Sequence, residues 1–157
     1  MKIALINENS QAAKNAQIYE VLNEEAQKAG HTVFNYGMYS AEDDVQLTYV
    51  KNGLLASILL TTKAVDFVVT GCGTGQGAML ACNSFPNVLC GHITDAVDAY
   101  LFGQVMMETV SLCLLHKDLD GVQKLIFTIL LKNCSQKHLV VDTLKNVVNQ
   151  NNVIKRS

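Results

Sequence analysis

Several things are scarce or absent in this 157-residue chain, and each absence narrows what it can be. There is no tryptophan and a single proline, Pro86, which excludes a proline-rich linker or a polyproline ligand. Charge of either sign is in short supply. Twelve basic and fourteen acidic residues leave a net charge of −2, with no basic footprint for nucleic acid and nothing that suggests an anionic membrane surface. No apolar run reaches membrane-spanning length, and Met1-Lys2 passes straight into a short strand rather than into a leader, so no membrane partner and a cytoplasmic location are expected. The five cysteines are odd in number and lack the paired close spacing of a zinc site, so reduced thiols are expected rather than a disulfide framework. No metal, haem, iron–sulfur or EF-hand pattern is found, and no cofactor is expected.

What is present is a regular alternation of short β-branched runs and amphipathic stretches over one domain's worth of chain, residues 1–157. The pattern predicts strands at Lys2–Ile6, Thr32–Asn35, Phe67–Thr70 and Val88–Gly91. It predicts helices at Gln11–Ala29, Leu47–Thr61, Gly75–Ser84 and Thr94–Phe102. On the first helix Ala12, Ala16, Tyr19, Val21, Leu22 and Ala26 mark the buried face, with Gly30 as the C′ stop. On the second, Leu47, Val50, Leu54, Leu55 and Ile58 do so. Such alternation implies an α/β fold: a doubly wound parallel sheet, Rossmann-like, in three αβα layers, with ligands bound outside the C-terminal strand ends. Asn7–Ser10, Gly71–Gly77 and Gly91–Thr94 all fall on that edge.

The most informative of these is Gly71-Cys72-Gly73-Thr74-Gly75-Gln76-Gly77. A glycine-alternating loop between a strand and a helix presents backbone N–H groups at a helix N-terminus, where an anion is favoured. Gly73, Gly75 and Gly77 would let the backbone approach a ligand closely. Cys72 and Thr74 are the reactive side chains, and the loop's field would stabilise a thiolate at Cys72. No lysine follows the last glycine, so this is no P-loop, and the strand is not the first one, so it is no dinucleotide fingerprint. The plainer alternative is a tight turn in which Cys72 packs as a small apolar residue. Glu8 could hold a substrate hydroxyl or, with Asn9, belong to a helix-capping loop. His92 could act as acid or base. His31 reads as a surface residue, and Cys82 and Cys90 as core.

The loop, its Ala-rich helix ending at Asn83, the run Val88-Leu89-Cys90-Gly91, the opening Lys2-Ile3-Ala4-Leu5, the pair Gly30-His31 and Asn35-Tyr36-Gly37 together resemble the type B ribose-5-phosphate isomerase and galactose-6-phosphate isomerase family. The resemblance covers roughly residues 1–104. It implies a cofactor-free aldose–ketose isomerase of a phosphorylated pentose or hexose, with Cys72 moving a proton between C1 and C2. It implies that Thr74 and the amides of Gly73, Gly75 and Gly77 hold the ene-diolate oxygen, with Gln76, Glu8, Asn9 and His92 as further substrate-binding positions. It also implies a homodimer that completes its sites across the interface. Glu8 and Asn9 stand where that family carries an Asp-His pair, and no histidine lies near Phe102-Gly103-Gln104, where it carries a ring-opening one. A non-catalytic phosphosugar or nucleotide binder on the same scaffold is the alternative.

Residues 105–157 form an atypical segment that departs from the resemblance. A strand is expected at Thr109–Leu115 and a helix face at Leu125–Leu131, with fraying over Val147–Ser157. Lys132, Lys137 and Lys145 could attract a phosphate or simply lie on a solvated face. If the codons from Val105 to Gln123 are read two bases out of phase, the genetic code permits V-N-D-G-N-C-I-S-L-P followed by G-F-G-W-G-A-E. These strings resemble a longer subgroup of the same family. A one-base deletion near Val105 accounts for this, and activity would then be weak or absent. Resequencing the gene across this junction is expected to give codons compatible with both strings. Codons incompatible with them in an intact frame refute the deletion.

Overall fold

The computed structural model describes residues 1–105, 110–114 and 122–135. Strands β1 (Lys2–Asn7), β2 (Thr32–Asn35), β3 (Phe67–Gly71), β4 (Cys90–Ile93) and β5 (Val110–Leu114) alternate with helices α1 (Asn15–Lys28), α2 (Tyr49–Thr61), α3 (Gln76–Asn83), α4 (Ala96–Val105) and α5 (Val122–Ser135). The strands form one sheet in the order β2-β1-β3-β5-β4, and every neighbouring pair is parallel. Successive side chains of β1 point to opposite faces and so divide the core. Ile3 and Leu5 join Ile18, Leu22 and Ala26 of α1 and Phe127 and Leu130 of α5, whereas Ala4 and Ile6 join Ala56, Leu59 and Leu60 of α2. Both sheet faces are therefore covered, as the doubly wound reading requires. The winding reverses between β1 and β3, where Asn7 lies opposite Gly71, and that switch point is where ligands enter such sheets.

Helix α2 turns the other way from the sequence expectation. Val50, Leu54 and Ile58 are each about half exposed, while Asn52, Gly53, Ala56, Ser57, Leu59 and Leu60 are buried. The helix is apolar nearly all round, so its periodicity does not choose a face. Small residues and one amide decide it. A Cβ on Gly53 would lie 3.0 Å from the Ala81 backbone, a tight contact, so the glycine eases this close approach of α2 to α3. Asn52 turns inward and donates to the Ile6 carbonyl at 2.8 Å and to Thr70 Oγ1 at 3.1 Å. The helix begins after Thr48, whose hydroxyl accepts from the Lys51 amide, rather than at Leu47.

Two other boundaries shift for local polar reasons. Strand β4 starts at Cys90 because the Asn83 side chain brackets that residue, accepting from its N–H at 2.9 Å and donating to its carbonyl at 2.8 Å. His92 lies inside β4 instead of after it. A 3-10 turn over Ala12–Lys14 precedes α1, and Ala16, expected on the buried face, is exposed. Gly30 takes a left-handed φ of 73° just past the end of α1, as a C′ glycine does. Cys72 and Cys82 are free thiols, and Cys82 and Cys90 are buried, as core residues are. Of the tail expectations, β5 and α5 appear where a strand and a helix were placed, and Lys132 is exposed. Lys137, Lys145 and Val147–Ser157 lie outside the described residues.

Helices α1 and α5 are joined by an ionic seam. The buried Glu25 carboxylate accepts from Lys28 Nζ at 2.8 Å and from Thr128 Oγ1 at 2.6 Å, with Glu24 and Lys124 beside it. The Lys28 bond, then the Thr128 bond, hold the Glu25 carboxyl below its ordinary value of 4.5. A depressed folded-state value contributes stability that is present above the unfolded value and is lost as pH falls through the folded one. Glu25→Gln is therefore expected to destabilise the chain at neutral pH, and the difference from the parent is expected to close as pH is lowered below 4.5. Urea unfolding at several pH values measures this, and a pH-independent difference refutes it.

Candidate active site

The site is built where β1 and β3 end side by side. Thr70, fully buried in β3, donates its hydroxyl to the Ile6 carbonyl at 2.6 Å, and Asn52 donates to the same oxygen from α2. Asn7 closes β1. Its side chain donates to Asn15 Oδ1 at 2.7 Å, Asn15 donates to the Met38 carbonyl, and the Met38 amide donates to the Asn7 carbonyl at 3.1 Å. A Cβ on Gly37 would lie 2.7 Å from the Asn7 carbonyl oxygen, so the segment after β2 clamps the end of β1 only because residue 37 is glycine. Of the residues in this clamp, Asn15 and Asn52 were absent from the sequence reading. The signal that could have found them is an amide on an otherwise apolar helical face, since a buried amide must find partners.

Glu8 follows directly. It is 3% exposed, and its carboxylate accepts from the Ser10 hydroxyl. It caps no helix: the 3-10 turn receives no side-chain cap, and backbone carbonyls of Glu8, Asn9 and Gln11 take the first amides. Asn9 is exposed, and its amide donates to Leu47 O at 3.1 Å. Ser10 stands between Glu8 and the glycine loop, since a Cβ on Gly73 would lie 3.8 Å from its Oγ. That link was not legible in sequence. Gln11, 5% exposed, has an unpaired Oε1 in the same segment.

The glycine loop leaves β3 at Gly71. Cys72 is 6% exposed, and its Sγ accepts from the Ala78 amide at 3.4 Å, in the first turn of α3. Gly75 carries the left-handed φ of 77° that lets the chain turn into that helix. Among the described residues, the N–H groups of Gly73, Thr74, Gly75, Gln76 and Gly77 donate to no protein acceptor. Backbone donors left unpaired at a helix start favour negative charge nearby. The side of Gly77 from which its Cβ is missing faces the Tyr49 ring at 3.7 Å, so Tyr49 walls the loop there.

His92 reaches this loop from β4. Its Nε2 lies 3.1 Å from the Thr74 carbonyl and its Nδ1 3.4 Å from Gln76 Nε2. One tautomer satisfies both contacts, with Nε2–H donating to the carbonyl and Nδ1 accepting from the amide. In this state His92 braces the loop, with both ring nitrogens occupied. The structure thus brings Cys72, Thr74, Gly73, Gln76 and His92 together and places Glu8 beside them through Ser10. Among the described residues, no group of three or more His, Cys, Asp or Glu could hold a metal ion. No helix among them is long and apolar enough to cross a membrane.

The switch point of this doubly wound sheet thus carries Cys72 and a glycine-rich loop, and the sequence model that matches the chain is that of the ribose/galactose isomerase family. The chain belongs to that family, whose sequence model matches residues 3–117. Among solved structures, a ribose-5-phosphate isomerase of Vibrio parahaemolyticus is 47% identical and superposes with a TM-score of 0.78 over 83% of this chain and 63% of its own. A 4-deoxy-L-threo-5-hexosulose-uronate ketol-isomerase, complexed with a tartrate, is 55% identical with a TM-score of 0.75, over 85% of this chain and 62% of its own. The chain therefore spans less than two thirds of the length of either. The type B ribose 5-phosphate isomerase of Trypanosoma brucei, 21% identical over 83% of this chain and 85% of its own, shares the fold with a TM-score of 0.69. Among curated proteins no relative matches.

The two free thiols near the loop differ in character. Cys82 is fully buried, and its thiol is pushed up to about 11 by burial and by the neighbouring Cys72. Iodoacetamide at mildly alkaline pH is expected to label Cys72 well before Cys82, as read by peptide mass spectrometry. Equal labelling, or Cys82 first, refutes this order.

Proposed function

We propose that this chain is an aldose–ketose isomerase acting on a phosphorylated pentose or hexose. The observation that carries the reading is the Cys72 sulfur, in contact with the Ala78 amide and followed by five backbone N–H groups without protein acceptors. In the proposed reaction the Cys72 thiolate removes the C2 proton of an open-chain aldose. Electrons shift to the C1 oxygen to give an ene-diolate, the O2 proton passes to O1, and the same sulfur returns its proton to C1 as the C2 carbonyl forms and the thiolate is regenerated. The amides of Gly73, Thr74 and Gly75 stabilise the oxygen on which charge develops, fixed in advance as such donors must be. Gln76, Gly77 and Asn9 line the substrate path, Glu8 accepts from a sugar hydroxyl, and His92 holds the loop in shape. The reading needs no metal or organic cofactor. It places the protein in the cytoplasm as a homodimer, with residues 105–157 as the atypical part of a single domain.

The relatives' names offer two substrate classes, a phosphopentose and a hexosulose uronate, and the loop's amides suit the anionic end or the ene-diolate of either. The second reading, a phosphosugar or nucleotide binder without catalysis, is favoured by Glu8 and Asn9 standing in place of an Asp-His pair. One variant separates the two readings. Cys72→Ala is expected to lower isomerisation of ribose 5-phosphate or galactose 6-phosphate by about a hundred- to ten-thousand-fold while ligand binding persists. The assay uses this chain and a frame-restored version, with a hexosulose uronate included. Unchanged turnover in Cys72→Ala, or binding without turnover in both parent chains, overturns the catalytic reading.

A further inference from the structure

Beside the edge strand β2, one strand away from the glycine loop, lies a second concave surface that the proposed reaction does not use. A cavity of about 570 Å³ is lined by Tyr19, Phe34, Tyr36 and Tyr39, with Asn15 and Asn35 among its polar groups, and no lining residue is charged. That volume is in the range of small-molecule sites. A neighbouring cavity of about 560 Å³ shares Tyr36 and Tyr39 and is lined by Glu42, Asp43 and Asp44. No residue of the loop 72–77 lines either, nor does Glu8 or His92.

The walls are held in place before any ligand arrives. Asp43 accepts from the Tyr39 amide at 2.6 Å and from the Ser40 amide at 3.2 Å. Tyr36 and Gly37 donate their amides to the Leu5 carbonyl at 2.9 and 3.1 Å, and Gly37 also donates to Asn35 Oδ1 at 3.0 Å. Even so, Phe34 and Tyr36 remain 41% exposed and Tyr39 68%. Among the described residues, no protein group hydrogen-bonds the hydroxyls of Tyr19 and Tyr36. Asn35 uses its side-chain oxygen within the turn, so its amide NH₂ is left as a donor.

Ring faces without charge accept the C–H face of a pyranose, and phenol and amide groups at their edges answer its hydroxyls. Glu42 and Asp44 of the adjoining lobe offer acceptors for further hydroxyls, and with Asp43 they repel phosphate or carboxylate. We infer that this two-lobed cleft is a second binding site, for an uncharged carbohydrate, separate from the site that takes the anionic substrate.

The test is an NMR titration of the full chain with methyl glucoside and with maltose, against glucose 6-phosphate and adenosine. Saturable shifts at Asn35, Tyr36 and Tyr39 are expected with the neutral sugars, tightest with maltose, which has a second ring to place against the adjoining lobe. Tyr39→Ala and Tyr36→Ala should weaken this binding at least about tenfold, Tyr36→Phe should weaken it less than Tyr36→Ala, and Cys72→Ala should leave it unchanged. The inference is overturned by the absence of saturable shifts, by shifts that map to residues 72–77, or by tighter binding of glucose 6-phosphate or adenosine than of the neutral sugars.

Discussion

The carbonyl oxygen of Ile6 is the point on which the arrangement turns. It accepts from Thr70 on the neighbouring strand and from Asn52 on the helix above, so β1, β3 and α2 meet at one buried atom. A fully buried carbonyl needs a partner, and here two side chains supply it at the place where the parallel ladder ends and the strands would otherwise fray. The next residue on β1 is Asn7 and the next on β3 is Gly71, held opposite one another. Every group assigned to the candidate chemistry continues from one of those two ends or leans on the loop that follows them.

From that anchor the site is assembled mostly from backbone. The loop is a run of amides shaped by the left-handed Gly75, and the sulfur sits where the first turn of α3 offers it an N–H. Side chains mainly hold this backbone in shape: His92 across the loop, Ser10 between the loop and Glu8, Tyr49 against Gly77. A site of this kind can bind negative charge without a lysine or arginine. Its donors are fixed before the ligand arrives, so they cost little reorganisation when charge develops.

The strand-loop-helix unit at Phe67–Asn83 was legible because its signals are local: a β-branched run, glycines at a turn, and an Ala-rich helix after them. The face of α2 and the start of β4 were not. In α2 apolar residues occupy nearly the whole circumference, and the choice fell to Gly53, which admits the Ala81 backbone, and to Asn52, whose partners lie 46 and 18 residues away. In β4 the Asn83 side chain brackets Cys90 at the strand start, past Val88 and Leu89, and pairing with β5 runs on to Ile93, so His92 is a strand residue that spans to Thr74.

By itself the sequence determined the number and type of elements, their parallel layering, and the identity of the loop that carries Cys72, because alternation and glycine placement act over a few residues. Tertiary structure alone decided which helical face is buried, how Glu8 is coupled to the loop, and that the rings of Tyr36 and Tyr39 border a cleft of their own. Those outcomes depend on hydrogen bonds and close backbone approaches between segments distant in the chain, which no local pattern encodes.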